Sequence, residues 1–271
     1  FRETFPQLFL SFWSILSYKK EIVMERENFH IEPGAPMFNK GYSIIIDTKG
    51  PYFVYGKPTL RQEFIVPNAE GEAWEYKTGI TYKVDHEPMV LCRCGHSQTK
   101  PFCDGSHTQI DWDPTLSADR KPLLDNVEIS EGEELQLLDN KTYCVHARFC
   151  MAKGTVWHLV EQSNRPEAQE LTIRETFHCP SGRLKLRDKK KDEFLEPRLE
   201  PSLSLIEDPQ KNCSGPIWVK GGIPMEDSEC TPYEIRNRVT LCRCGNSHNK
   251  PYCDGSHMRT QFSDGQPGLT S

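Results

Sequence analysis

The chain has 271 residues, with 33 lysines and arginines against 39 aspartates and glutamates, a formal net charge of −6. This length leaves room for two or three small domains. Because nonspecific nucleic-acid binding depends on a cationic surface, which this composition does not provide, we expect no nucleic-acid partner.

The N-terminal segment is apolar but short. The stretch 5–16 falls well below the roughly 20 residues that span a bilayer, and no small-residue cleavage site follows it. Lys20-Glu21 can be encoded as AAG-GAG, a ribosome-binding sequence, and Met24 follows at a normal start distance. We therefore expect residues 1–23 to be upstream sequence included by a misplaced start, and we expect no membrane association.

Residues 24–120 combine strand-forming side chains with a compact cysteine segment. The dipeptide Gly50-Pro51 precedes β-forming side chains expected in a small sheet, namely Val54, Trp74, Tyr76 and Val90. The segment 91–107 reads LCRCGHSQTKPFCDGSH. Its spacing C-x-C-x8-C-x3-H supplies four potential metal ligands, Cys92, Cys94, Cys103 and His107.

Residues 121–205 differ in composition from the flanking regions. The stretch 127–138 alternates as strands do, and residues 166–177 predict a helix with proline near its first position. That helix would deliver Cys179 at its end. The basic run 183–191 is interrupted by acidic residues, so we expect a solvated loop there.

A separate set of cysteines lies in this middle region, and we call it the middle site. It comprises Cys144, Cys150 and Cys179, the last followed by proline. Bacterial ferredoxins space three ligands as C-x2-C-x2-C, and Ala147 stands where the second of these would be. The site could hold [3Fe-4S], or [4Fe-4S] with His146 or an external fourth ligand, or it could have lost its cluster.

Residues 206–271 repeat the first unit. Gly215-Pro216 precedes the β-formers Ile217, Trp218, Val219 and Val239. The segment 241–257 reads LCRCGNSHNKPYCDGSH and differs from the first copy at four positions. None of those positions is a potential ligand, so the second set is Cys242, Cys244, Cys253 and His257. Cys213 and Cys230 belong to no set and are interpreted as plain thiols.

The ligand spacing alone leaves the metal open. A structural zinc site usually takes C-x2-C or longer pairs, and C-x-C is tighter than that. Three thiolates and one imidazole could nevertheless bind zinc. The identity of the metal therefore has to be inferred from the residues around the ligands.

Both copies resemble the CDGSH iron-sulfur family, whose pattern C-x-C-x2-(S/T)-x3-P-x-C-D-G-(S/A/T)-H each copy satisfies throughout. The resemblance implies that each set of three cysteines and one histidine holds a [2Fe-2S] cluster. It also places cluster-supporting side chains at Ser97, Lys100 and Asp104 in the first copy and Ser247, Lys250 and Asp254 in the second. The segments around Cys144 and Cys179 resemble the divergent mono-cluster ferredoxin-like domain that accompanies CDGSH motifs in bacterial multidomain proteins.

The expected fold follows from this resemblance. We expect an α+β, β-rich chain in which two small CDGSH units with β-caps form an intramolecular pseudo-dimer beside a small ferredoxin-like middle domain. Single-motif members are typically homodimers, so two motifs in one chain predict a monomer, because tethering raises the effective concentration of the second half.

The expected function is that of an iron-sulfur carrier. A histidine ligand should raise the potential above that of plant-type ferredoxins and couple reduction to a proton, so electron transfer or cluster transfer is predicted. The implied partner is a redox protein or an apo iron-sulfur acceptor, and labile thiolate clusters favour the cytoplasm. No nucleotide-binding fingerprint or catalytic residue is identified, so an autonomous enzyme is not expected. A zinc-stabilised interaction module and a redox subunit of a larger oxidoreductase are the alternatives.

Overall fold

The computed structural model describes residues 29–35 and 41–265. The expectation for residues 1–23 lies outside these ranges. The described strands are β1 (Ser43–Ile46), β2 (Tyr52–Tyr55), β3 (Thr59–Pro67), β4 (Ala73–Tyr82), β5 (Met89–Leu91), β6 (Glu128–Glu131), β7 (Leu135–Asp139), β8 (Leu184–Asp188), β9 (Glu193–Leu195), β10 (Ser202–Asp208), β11 (Cys213–Lys220), β12 (Met225–Asp227) and β13 (Arg238–Leu241). The α-helices are α1 (Val156–Glu161), α2 (Pro166–His178) and α3 (Ser256–Arg259).

Two of the three sheets exchange strands between the halves of the chain. One has the order β12-β1-β2-β5 and the other β13-β11-β10-β3-β4. The exchanged pairs, β1 with β12 and β3 with β10, are both parallel, whereas the pairs within each half are antiparallel. The second half therefore contributes β12 to the sheet of the first half, and the first half contributes β3, with β4 beside it, to the sheet of the second. Each half completes the sheet of the other, as in a strand-exchanged pseudo-dimer.

Both exchanged sheets contribute to a single hydrophobic core. Strands of the first half supply Ile44, Val54 and Leu91, while strands of the second half supply Leu205 and Val239, all buried. The β-formers predicted in both units lie in strands. Since neither unit closes this core alone, the predicted α+β fold with an internal pseudo-dimer is confirmed.

The middle region forms a third sheet of order β6-β7-β8-β9 with two helices packed on it. Its small core joins Leu137 and Leu186 of the sheet to Val160 of α1. Helix α2 begins with Pro166 at its N-terminus and ends at His178, and Cys179 is its C-terminal cap. The sequence prediction of this helix, and of its position next to Cys179, agrees with the structure.

The prediction of a solvated loop over residues 183–191 is wrong for its first half. Leu184–Asp188 is strand β8, in the interior of the third sheet. Lys185 is fully buried, with its Nζ 2.6 Å from Glu196 Oε1 and 3.3 Å from Glu32 Oε2. Only the following turn, with Lys190 and Lys191, is exposed. The charge pattern predicted exposure, but Lys185 is buried in the strand because it forms ion pairs with Glu32 and Glu196.

The described part of the chain contains no helix with the length and apolarity needed to cross a membrane.

Candidate metal centres

Each CDGSH segment is built as an extension of a strand. In the first, β5 leads into Cys92, and the chain returns so that Leu91 bridges Phe102. The amide of Cys92 donates to Pro101 O at 2.8 Å, and the amide of Cys103 donates to Val90 O at 2.9 Å. These backbone bonds bring the third cysteine beside the first two.

The second segment repeats this arrangement on β13. Leu241 bridges Tyr252, the amide of Cys242 donates to Pro251 O at 2.8 Å, and the amide of Cys253 donates to Thr240 O at 2.9 Å. The two centres therefore share one backbone design. We call the set at Cys92, Cys94, Cys103 and His107 the first centre, and the set at Cys242, Cys244, Cys253 and His257 the second centre.

The four donors of each centre come as two pairs. In the first centre the sulfurs of Cys92 and Cys94 are 3.8 Å apart, and Cys103 Sγ is 3.4 Å from His107 Nδ1. In the second centre the corresponding distances are 3.8 Å and 3.3 Å. In both, Nδ1 is the imidazole nitrogen that faces the cysteine.

The spacing within each pair matches two ligands on one metal. With metal–sulfur bonds of about 2.3 Å and tetrahedral angles, two sulfurs on one metal lie about 3.8 Å apart, and a sulfur and an imidazole nitrogen about 3.6 Å apart. Across the described ranges, no three His, Cys, Asp or Glu side chains come together as a set that could hold one metal ion. A [2Fe-2S] cluster takes two ligands on each iron, and the two pairs of donors in each centre fit that arrangement.

In each C-x-C pair, the first cysteine has a lowered thiol pKa. A hydrogen bond from the Cys94 thiol and nearby backbone amides lowers the pKa of Cys92 to about 6, although burial opposes this shift. The equivalent bond from Cys244 lowers the pKa of Cys242 to about 7. Since a thiolate is the metal-binding form, one cysteine of each pair is prepared to ligate near neutral pH.

The histidines of both centres are held neutral. Burial lowers the pKa of His107 below its usual range and lowers that of His257 to about 4. A neutral imidazole is the form that binds a metal.

Serine and aspartate side chains close the loop between the second and third cysteines. Ser97 Oγ donates to Phe102 O at 2.6 Å, and Ser247 Oγ donates to Tyr252 O at 2.7 Å. Asp104 accepts hydrogen bonds from the amides of Gln98 and Ser106, at 2.7 Å and 3.0 Å. Asp254 accepts from the amides of His248 and Ser256, each at 2.9 Å. Both residue types therefore shape the ligand loop.

The motif lysines donate to the same loop. Lys100 Nζ lies 2.6 Å from Ser97 O and Lys250 Nζ lies 2.7 Å from Ser247 O. Lys250 is only 4% exposed, so it is not a solvated loop charge. Each lysine directly precedes the motif proline, and its side chain donates a hydrogen bond to the serine carbonyl earlier in the ligand loop.

The arginine inside each C-R-C sequence was missed by the sequence analysis, although it is identical in both copies. Arg93 Nε donates to Gly50 O at 2.7 Å, and Arg243 Nε donates to Gly215 O at 2.7 Å. The Gly-Pro sequence shared by the two units thus supplies the carbonyl that anchors each of these buried arginines. Arg243 also pairs with the buried carboxylates of Glu207 and Asp264.

The two centres meet back to back. A Cβ built on Gly95 would lie 2.5 Å from Cys244 O, and one built on Gly245 would lie 2.2 Å from Cys94 O. Both glycines have positive φ, 82° and 79°. Only glycine allows this reciprocal approach, and it places the two C-x-C-G turns against each other across the pseudo-two-fold axis.

The middle site also assembles. Cys144, Cys150, Cys179 and His146 line one pocket together with Arg183, whose positive charge suits an anionic cluster. Burial raises the pKa of the Cys150 thiol to about 12. The cavity measures about 20 Å³, room for about one water molecule. A cluster at this site would require these side chains to spread apart.

Two family models match the chain. A sequence model of the family described as "Iron-binding zinc finger CDGSH type" matches residues 49–108 and 214–258. A model described as "Divergent 4Fe-4S mono-cluster" matches residues 130–189, between the two. No curated protein and no solved structure matches the chain significantly.

Proposed function

Because this chain is a multidomain CDGSH-type iron-sulfur protein, with two CDGSH regions on either side of a divergent mono-cluster region, we propose that it carries two [2Fe-2S] clusters and acts in electron transfer or cluster transfer. Three cysteines and one histidine hold each cluster in this proposal. The observation that carries it is the division of each donor set into a cysteine pair and a cysteine–histidine pair.

A [2Fe-2S] cluster supplies one-electron chemistry when it is bound. The chain's own residues fix its ligands, keep the imidazoles neutral and surround the sulfurs with amide donors, as His96 N does for Cys94 Sγ at 3.4 Å. Because Nδ1 faces the cysteine, Nε2 is the nitrogen left to exchange a proton. Reduction coupled to proton uptake at this atom is therefore part of the proposal.

The partner in this proposal is a redox protein or an apo iron-sulfur acceptor, and the chain works as a cytoplasmic monomer. Its pseudo-dimer already buries within one chain the kind of interface that strand exchange creates between subunits. The middle site is proposed to hold a [3Fe-4S] or [4Fe-4S] cluster, with His146 or an external group as a fourth ligand of the latter.

A spectroelectrochemical titration of the anaerobically purified protein tests this function. We expect reversible reduction at a potential above the roughly −400 mV of plant-type ferredoxins. The potential should fall by about 59 mV per pH unit wherever one proton accompanies each electron. The double variant His107→Cys, His257→Cys should lower the potential and abolish the pH dependence. A protein that shows no reversible reduction would refute the carrier function.

A further inference from the structure

The two centres are built alike but differ in what covers them. Cys103 and His107 of the first centre are partly exposed, and Asp104 between them is exposed. A Cβ built on Gly105 would meet no other heavy atom within 4 Å, apart from its chain neighbours, among the described residues. The cysteine–histidine side of the first centre therefore faces open space.

The same side of the second centre is closed. Cys253 and His257 are only 2% and 4% exposed. A Cβ built on Gly255 would lie 2.3 Å from Cδ2 of His146, a side chain of the middle domain. Gly105 and Gly255 occupy the same motif position with φ near 85°, so the difference comes from the covering domain and not from the motif.

Aromatic packing extends this cover. Tyr143 of the middle domain meets Tyr252 of the second motif edge to face, with ring centroids 5.1 Å apart. Arg236 lies over both rings and donates to Tyr143 Oη at 3.1 Å. The corresponding motif residue of the first centre, Phe102, meets only Tyr82 among its described aromatic contacts, from a strand of its own half.

The strand that leads into the second centre is also tied to the middle domain. Arg238 of β13 is buried, and its Nη1 donates to Thr176 O at 2.7 Å and to Cys179 O at 2.8 Å. Its Nη2 lies 2.8 Å from Glu196 Oε1. Opening the second centre therefore requires breaking buried contacts with the middle domain, whereas the corresponding side of the first centre already faces open space at Gly105.

We propose that the two CDGSH centres have different tasks: the first exchanges its cluster or electrons with outside partners, and the second is retained, sealed by His146 and Tyr143 of the middle domain. This inference rests on the proposed function, because it assigns tasks to the two clusters. Its partner is the same redox protein or apo acceptor, which would dock at the first centre.

The test is the rate at which each centre loses iron to excess EDTA at one fixed pH, followed by visible absorbance on the full-length holoprotein. His107→Cys and His257→Cys identify the phases, since each changes the rate of its own centre alone. We expect the second centre to lose iron at least about tenfold more slowly than the first, because loss must wait for local opening. Equal rates, or faster loss from the second centre, would overturn the inference.

His146→Gly tests the seal itself. His146 has a φ of 58°, a conformation that glycine adopts without strain. The variant should accelerate loss from the second centre severalfold and leave the first unchanged. His86→Gly, which removes an exposed loop histidine, is the matched control and should change neither rate. An unchanged second phase in His146→Gly would contradict the role of His146.

Iron content is measured before each experiment. Because His146 also lines the middle site, a loss of that cluster would appear as lower total iron and not as a changed rate. A wild-type protein without iron would refute the proposed function. A protein with two CDGSH clusters that are lost at one rate would refute this inference alone.

Discussion

At the residue scale, the motif glycines Gly105 and Gly255 provide a matched pair. Both hold φ near 85°, so alanine at either site incurs the same backbone cost of about 1–2 kcal/mol. Only at Gly255 does the new Cβ collide with His146. Alanine at Gly105 thus measures the stability lost to backbone strain, and alanine at Gly255 measures the same loss plus the steric clash with His146.

We therefore predict that Gly255→Ala lowers the thermal unfolding temperature more than Gly105→Ala does. Adding His146→Gly should remove most of the difference, since the imbalance comes from that side chain, and a double-mutant cycle measures the coupling. Equal losses in the two single variants would show that the contact between His146 and Gly255 contributes nothing to stability.

A second prediction at this scale concerns Glu175 of α2. Its side chain is buried, one carboxylate oxygen accepts from Lys153 N at 2.8 Å, and the other has no partner within the described ranges. Burial raises its pKa from 4.5 to about 7. Between these values the folded state binds more protons than the unfolded state, so the free energy of unfolding decreases as pH rises from about 4.5 to about 7.

Glu175→Gln removes this titration. Urea unfolding at about pH 8 should show the variant to be more stable than the wild type by about 1–3 kcal/mol, with the advantage lost near pH 5. A constant difference at both pH values would mean that Glu175 does not titrate in this range.

At the element scale, local sequence patterns predicted the elements that have a clear helix-start signal or a run of β-forming side chains. The proline-initiated pattern at 166–177 predicted α2 to within one residue, and the β-formers marked strands in both units. The pattern failed at β8, where Arg183 and Lys185 are buried against Asp139, Glu196 and Glu32. The charge of a residue does not reveal whether a buried partner is available, because these partners are not its neighbours in the sequence.

The assignment of β8 gives a third prediction. Lys185→Met should destabilise the protein by about 3 kcal/mol or more, because it leaves Glu32 and Glu196 buried with less compensation. Lys190→Met, in the exposed turn that follows, should leave the unfolding midpoint unchanged. Similar small effects of the two changes in urea unfolding would favour the solvated loop over the buried strand.

At the scale of the whole molecule, the sequence repeat predicted two centres and an internal pseudo-dimer, but not how the halves combine. The parallel pairs β1–β12 and β3–β10 join strands more than 130 residues apart, and no local pattern encodes them. The ligand residues could be predicted because their spacing is local. The cover over the second centre could not, since His146 is brought to Gly255 only by the packing of the middle domain.

The central claim is that each CDGSH centre holds two irons and not one zinc. The most direct test quantifies iron, inorganic sulfide and zinc per chain after anaerobic purification, with visible absorbance and low-temperature EPR on the same sample. The account predicts about four irons and four sulfides from the two centres, about three or four further irons if the middle site is filled, and negligible zinc. A colourless protein that contains about two zinc ions per chain would contradict it.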